Sequence, residues 1–159
     1  MYTGFPSLQS PGSKVKIPHD GVGPGVAWVK IDDLGEATAK LVKKYADLGG
    51  KGLAEFQDRV ILFSGPKAYT LAETINLLGS TLGKSIGIEQ VAVDDYAEDP
   101  TVQESLGSHG QGDVPRKWAT SFKAVKEGET AVTSIILETV LGRKPESFEA
   151  TLAAMVNVF

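Results

Sequence analysis

Two stretches of this chain share one design of apolar and polar positions. In the first, Val26–Ile31 alternates loosely around Trp28 and predicts a strand. Leu34, Ala37, Leu41 and Tyr45 then recur at helical spacing, with Asp33 placed as N-cap and Glu36 three residues on. In the second, Val60–Phe63 is a short continuous apolar run bounded by Ser64-Gly65-Pro66. That is the pattern of a strand covered on both faces, as in a parallel sheet. Thr70 stands as an N-cap, with Glu73 completing a capping box. Leu71, Ile75, Leu78 and Leu82 follow on one helical face, and Gly83 is placed to end the helix. Ile88–Val93 predicts the next strand. A strand, a helix and a strand with short links make a βαβ unit whose crossover is right-handed.

The flanks are less regular. Residues 1–25 are rich in Gly, Pro and Ser and read as a loop or arm, with Lys14–Ile17 as a candidate short strand. Gly21-Val22-Gly23-Pro24-Gly25 invites comparison with a phosphate loop. Such a motif follows a strand and opens directly into a helix. Here Pro18-His19-Asp20 precedes it and a strand follows, so a hairpin-like turn is expected. After Val93, Asp94 is placed to cap a helix that Pro100 breaks or restarts. Gly107-Ser108-His109-Gly110-Gln111-Gly112 has the glycine spacing of a dinucleotide fingerprint. It follows a polar segment and runs into Asp-Val-Pro, so a surface loop is expected. Asp113–Lys126 predicts a helix with Pro115 in its first turn and Trp118, Phe122 and Val125 on one face. Ile135–Leu141 predicts a short helix stopped by Gly142, and Ser147 caps a last helix carrying Phe148, Leu152, Met155 and Phe159.

Composition narrows the partners. The chain has 159 residues, enough for one domain with a core, and a net charge of −4. With basic residues scattered, neither nucleic acid nor a membrane is expected as a partner. There is no cysteine, hence no disulfide framework, thiolate metal site or cysteine nucleophile. No apolar run approaches the roughly 20 residues that span a bilayer, and Met1–Pro6 lacks signal-peptide regions. A cytoplasmic protein is expected.

Candidate chemistry is sparse. His19 and His109 each sit among Gly, Pro and polar residues without a second ligand at metal spacing, so no metal site is expected. The Asp32-Asp33 pair is better explained by the capping role of Asp33 than as an acid/base dyad. No Gly-x-Ser-x-Gly elbow is present, and no tyrosine is followed by lysine four positions on. No catalytic residue is assigned.

The ordered segments nevertheless carry a resemblance. Val26-Ala-Trp-Val-Lys-Ile-Asp-Asp-Leu-Gly-Glu-Ala-Thr-Ala-Lys-Leu resembles the strand, Asp-Leu and Ala-rich helix in the second half of NmrA-like proteins. These belong to the atypical short-chain dehydrogenase/reductase superfamily, with the isoflavone-reductase-like enzymes. Val60–Pro66 followed by Tyr69–Glu73 is similar to the family's next strand and helix, and Leu82-Gly83-Lys84 with Ile88–Tyr96 to its next step. Leu141–Pro145 with Ser147-Phe148 resembles its closing signature. The resemblance runs over roughly residues 2 to 156.

The resemblance implies an α/β fold. It is a partial Rossmann-like parallel sheet, made of the C-terminal strands and helices, with a small helical substrate-side lobe. A single domain over 1–159 is expected, with an arm at 1–25, a strand-helix-strand-helix-strand run at 26–93 and a mostly helical lobe at 94–159. In the family the Gly-rich nucleotide loop lies upstream of these segments, so the chain is expected to be the C-terminal half of an NmrA-like protein. NADP or NAD is implied as cofactor, with binding by this chain alone not expected. Gly4, Phe5 and Pro6 are the implied cofactor contacts, and Trp28, Tyr96 and Trp118 the implied substrate walls. The implied function is the substrate-side half of an NAD(P)-dependent reductase-like oxidoreductase, inactive alone. The alternative is a non-catalytic nucleotide-sensing regulator or protein-interaction module. The implied partners are a small-molecule substrate or a regulatory protein, with self-association through an uncovered sheet edge.

Overall fold

A computed structural model of the chain describes residues 14–49, 56–107 and 110–156. The fold is α/β. The chain divides into two compact units, each built from segments distant in sequence: residues 1–26 with 69–131, and residues 27–68 with 132–159.

The first unit holds a parallel two-stranded sheet. Strand β1 (Lys14–Ile17) pairs with β2 (Gly87–Gln90) in register Lys14↔Gly87 through Ile17↔Gln90. The alternation of β1 is visible in its burial: Val15 and Ile17 point into the core, while Lys14 and Lys16 face out. Helix α2 (Leu71–Thr81) precedes β2 in the chain and buries Leu71, Ile75 and Leu78. Its N-terminus is the expected capping box: Thr70 Oγ1 accepts from Glu73 N at 3.0 Å, and Glu73 Oε2 accepts from Thr70 N at 2.8 Å. Its C-terminus is a Schellman motif around Gly83, at φ 64°, with Lys84 N donating to Gly79 O at 2.8 Å. Four short helices follow β2: α3 (Val93–Glu98), α4 (Pro100–Ser105), α5 (Val114–Ala119) and α6 (Ser121–Glu127), then a 3₁₀ turn at Glu129–Ala131. Pro100 opens α4 behind an Asp99 cap whose Oδ1 accepts from Thr101 N at 2.8 Å, so proline restarts the helix as expected.

The second unit packs α7 (Ile136–Leu141) against the long helix α1 (Ile31–Asp47). Ala37 of α1 meets Leu137 and Leu141 of α7, with Val29, Phe63 and Val140 around them. Gly142, at φ 71°, ends α7, and the last helix is α8 (Phe148–Val156), where Ala150 N donates to the Ser147 hydroxyl at 3.2 Å.

Several expectations are corrected. Val26–Ile31 is not a strand. It contributes one antiparallel bridge, with Val26 N donating to Tyr69 O at 2.8 Å and Tyr69 N to Val26 O at 3.0 Å. Val60–Phe63 is not a strand either, and it is not covered on both faces, since Val60 is 99% exposed. A strand exists only through its ladder, and no described residue pairs with this run. The neighbour of β2 is therefore Lys14–Ile17 and not residues 60–63. Helix α1 begins at Ile31 with Lys30 as N-cap, which moves Asp33 inside the first turn. Helix α3 begins after Ala92, so Asp94 is a helical residue that pairs with Arg116 on α5. The predicted Asp113–Lys126 helix is two helices separated at Thr120.

Candidate functional site

In open parallel sheets, ligands sit outside the carboxyl ends of the strands. In the first unit, that end carries the loop from Pro18 to Val26 and the start of α3. The loop is tightly wired. His19 Nδ1 accepts from Gly21 N at 2.9 Å, and Asp20 Oδ1 accepts from Val22 N at 3.0 Å. Gly21 O accepts from Ala72 N at 3.0 Å, so a carbonyl takes up a free N–H at the start of α2. A phosphate cradle has the opposite polarity, with N–H groups turned to the ligand. The phosphate loop set aside from sequence does not form, but neither does the hairpin-like turn expected in its place: the segment is a loop whose far end, Val26, bridges Tyr69, while β1 pairs with β2. Gly25 could not be replaced: at φ 83°, a Cβ would stand 1.9 Å from Tyr69 O. Thr130 Oγ1 donates to Gly25 O at 2.7 Å and fixes the loop from the far end of the unit.

Tyr96 lies in the core of this unit, 0% exposed, its ring edge-on to Phe122 at 5.5 Å. Burial, and secondarily the negative charge of Asp99, pushes its phenol up to about 12. Trp118 on α5 is 37% exposed.

The second unit carries two adjoining open clefts. One, of about 470 Å³, is lined by Ile135, Glu138, Thr139, Gly142 and Arg143. The other, of about 190 Å³, shares Ile135 and Glu138 and adds Ser64, Pro66 and Pro145. Arg143, which lines the larger cleft, belongs to an ion network. Arg143 Nη2 donates to Asp33 Oδ1 at 2.7 Å and to Glu36 Oε2 at 2.5 Å, while Glu146 N donates to Asp33 Oδ2 at 2.7 Å. Lys30 Nζ meets Glu146 Oε2 at 2.7 Å, and Thr151 Oγ1 donates to Glu146 Oε1 at 3.0 Å. The hydrogen bonds that Arg143 donates to Asp33 and Glu36 hold its guanidinium above its ordinary value. The Lys40 and Arg143 bonds lower Glu36, and the Lys30 bond lowers Glu146. Every charge in this group is matched, as expected of scaffold rather than of a poised acid or base. Trp28 stacks on Phe148 at 5.7 Å in the same unit.

The residues singled out from sequence thus fall in different places. Tyr96 and Trp118 belong to the first unit, on helices α3 and α5, which pack together. Trp28 belongs to the second unit. Gly4, Phe5 and Pro6 lie outside the described residues, as do Ser108 and His109 of the second glycine cluster. Among the described residues, no group of acidic and histidine side chains is arranged to hold a metal, and no helix is long and apolar enough to cross a membrane. Sequence reasoning missed the Asp33–Arg143–Glu146 group. Asp33 fitted a cap in its local context, and 110 positions separate it from Arg143.

No protein-family profile matches the chain. No curated protein matches it either. Among solved structures, the chain is similar to a nucleoside-diphosphate-sugar epimerase from Staphylococcus aureus, with a TM-score of 0.68 at 18% identity over 96% of this chain. This chain spans about half of that protein, 49% of its length, and what the two share is a fold.

Proposed function

We propose that the chain is the substrate-side half of an NAD(P)-dependent, NmrA-like reductase-type protein. Its nucleotide would be held by a Gly-rich strand–turn–helix other than the two glycine clusters in this sequence. The observation that carries the reading is the fold likeness, which takes in nearly all of this chain and about half of an epimerase. The Gly21–Gly25 loop supports it, because the N–H groups of Gly21 and Val22 are already taken by His19 and Asp20. In this reading hydride chemistry belongs to the cofactor and the protein supplies orientation. Gly4, Phe5 and Pro6 are the proposed cofactor contacts; of the proposed substrate walls, Trp118 is exposed in the first unit and Trp28 half-buried in the second, whereas Tyr96 lies in the core, out of a substrate's reach.

The test is a titration of the chain with NADPH and NADH, following thermal midpoint and nicotinamide fluorescence. No saturable binding is expected at micromolar cofactor, and saturation would overturn the reading. With a nucleotide-binding half supplied in trans, binding is expected to appear. Turnover of carbonyl substrates then separates a reductase from a sensor that binds without reaction.

A further inference from the structure

Among the described residues, two buried side-chain polar atoms of the first unit have no partner: His19 Nε2 and the Tyr96 hydroxyl oxygen. Their residues are 2% and 0% exposed. Buried polar groups in native proteins are almost always paired, with protein or with a bound molecule. The topology sends both from the same end of the sheet. Ile17 and Gln90 close the β1–β2 ladder side by side, and Val91 N donates to Ile17 O at 3.0 Å one step beyond. The chain then leaves β1 through Pro18 to His19, and leaves β2 into α3, where Tyr96 N donates to Ala92 O at 3.0 Å.

We propose that His19 Nε2 and the Tyr96 hydroxyl together hold one neutral oxygen acceptor, a water or a ligand carbonyl, at the carboxyl end of this sheet. His19 Nδ1 accepts from Gly21 N, so the ring proton sits on Nε2 and that atom is a donor. The phenol is the second donor, and burial keeps it protonated. Two buried donors without a protein partner select an oxygen with lone pairs. The charge of Asp99 acting on the phenol disfavours an anion there, although Lys16 lies 3.9 Å from that carboxylate. The site takes nothing from the nucleotide reading, and a chain without nucleotide context would keep it.

The test reads the imidazole by ¹⁵N-resolved NMR, with His109→Gln assigning the two histidines. The Nε2–H tautomer is expected, with a slowly exchanging ring proton that Tyr96→Phe releases about tenfold faster. A cross-peak from that proton to long-lived water marks water as the occupant. A saturable shift of the His19 and Tyr96 resonances with acetamide marks a carbonyl site. A His19 proton on Nδ1 overturns the proposal in the unmutated chain. So does a freely exchanging Nε2 proton that responds to neither water nor acetamide.

Discussion

Arg143 and Asp33 lie 110 positions apart and meet at 2.7 Å, a guanidinium half in solvent against a carboxylate almost wholly out of it. Asp33 also receives Glu146 N, so one aspartate ties the first turn of α1 to the segment between α7 and α8. Removing the cation strands a buried charge, whereas Asp33→Asn keeps an acceptor for Glu146 N. Arg143→Met is therefore expected to lower the urea midpoint more than Asp33→Asn, and Asp33→Ala to cost about 2 kcal/mol by leaving a buried N–H unmet. The opposite ranking of the first two would show that the carboxylate is not held by this pair. Arg143→Lys is expected to rescue only in part, since one ammonium reproduces little of the guanidinium's reach to both Asp33 and Glu36.

Acid should loosen the second unit through the same group. Glu36 and Glu146 titrate below their ordinary 4.5 in the folded chain, so the unfolded chain takes up those protons first. Their stabilisation is complete above about pH 4.5 and is lost as pH falls through the lowered values. Thermal midpoints measured from pH 6 to 3 should drop less steeply in Glu146→Gln than in the unmutated chain.

Alkali acts on the first unit. The folded chain keeps the Tyr96 proton to about 12, against 10.0 for a free phenol. Its contribution is complete below pH 10 and falls as pH rises towards 12, by up to about 3 kcal/mol. The difference in stability between the unmutated chain and Tyr96→Phe should therefore shift in favour of the phenylalanine across that window. A constant difference would mean that the phenol is solvated.

Two glycines separate crowding from backbone strain. A Cβ on Gly65 would stand 1.9 Å from Trp28 O, in a backbone conformation open to any residue. A Cβ on Gly83 would meet nothing within 4 Å, at φ 64°. Gly65→Ala is expected to cost about 4 kcal/mol or more by forcing two chain segments apart, and Gly83→Ala about 1–2 kcal/mol. Guanidinium unfolding of both variants checks the contrast.

Val60 and Leu62 are exposed on a run without a ladder partner among the described residues. Neighbouring apolar side chains left in water favour association. Sedimentation velocity is expected to show concentration-dependent self-association that Val60→Lys weakens. A monomer at high concentration with Val60 intact would count against it.

Much of the architecture could be read from local signals. The Thr70–Glu73 box, Gly83, Pro100, Gly142 and Ser147 each mark an element boundary through the chemistry of a few neighbouring residues, and each marks one here. What escaped depends on partners far along the chain. Val60–Phe63 has the composition of a strand, but composition does not supply the edge it must bond. Asp33 satisfies the local rule for a cap, and only Arg143, arriving from the other end of the unit, reveals that its carboxylate is committed elsewhere. His19 looked idle among turn residues because its significance lies in its burial, which no motif encodes.

The interleaving of the two units bears on synthesis. Lys40 Nζ donates to Leu141 O at 2.6 Å across 101 positions. On a ribosome adding about 5–20 residues each second, helix α1 emerges several seconds before the helix that covers Ala37. During that interval its apolar seam is open to chaperones. A cell short of them should lose this chain to proteolysis at α1 first.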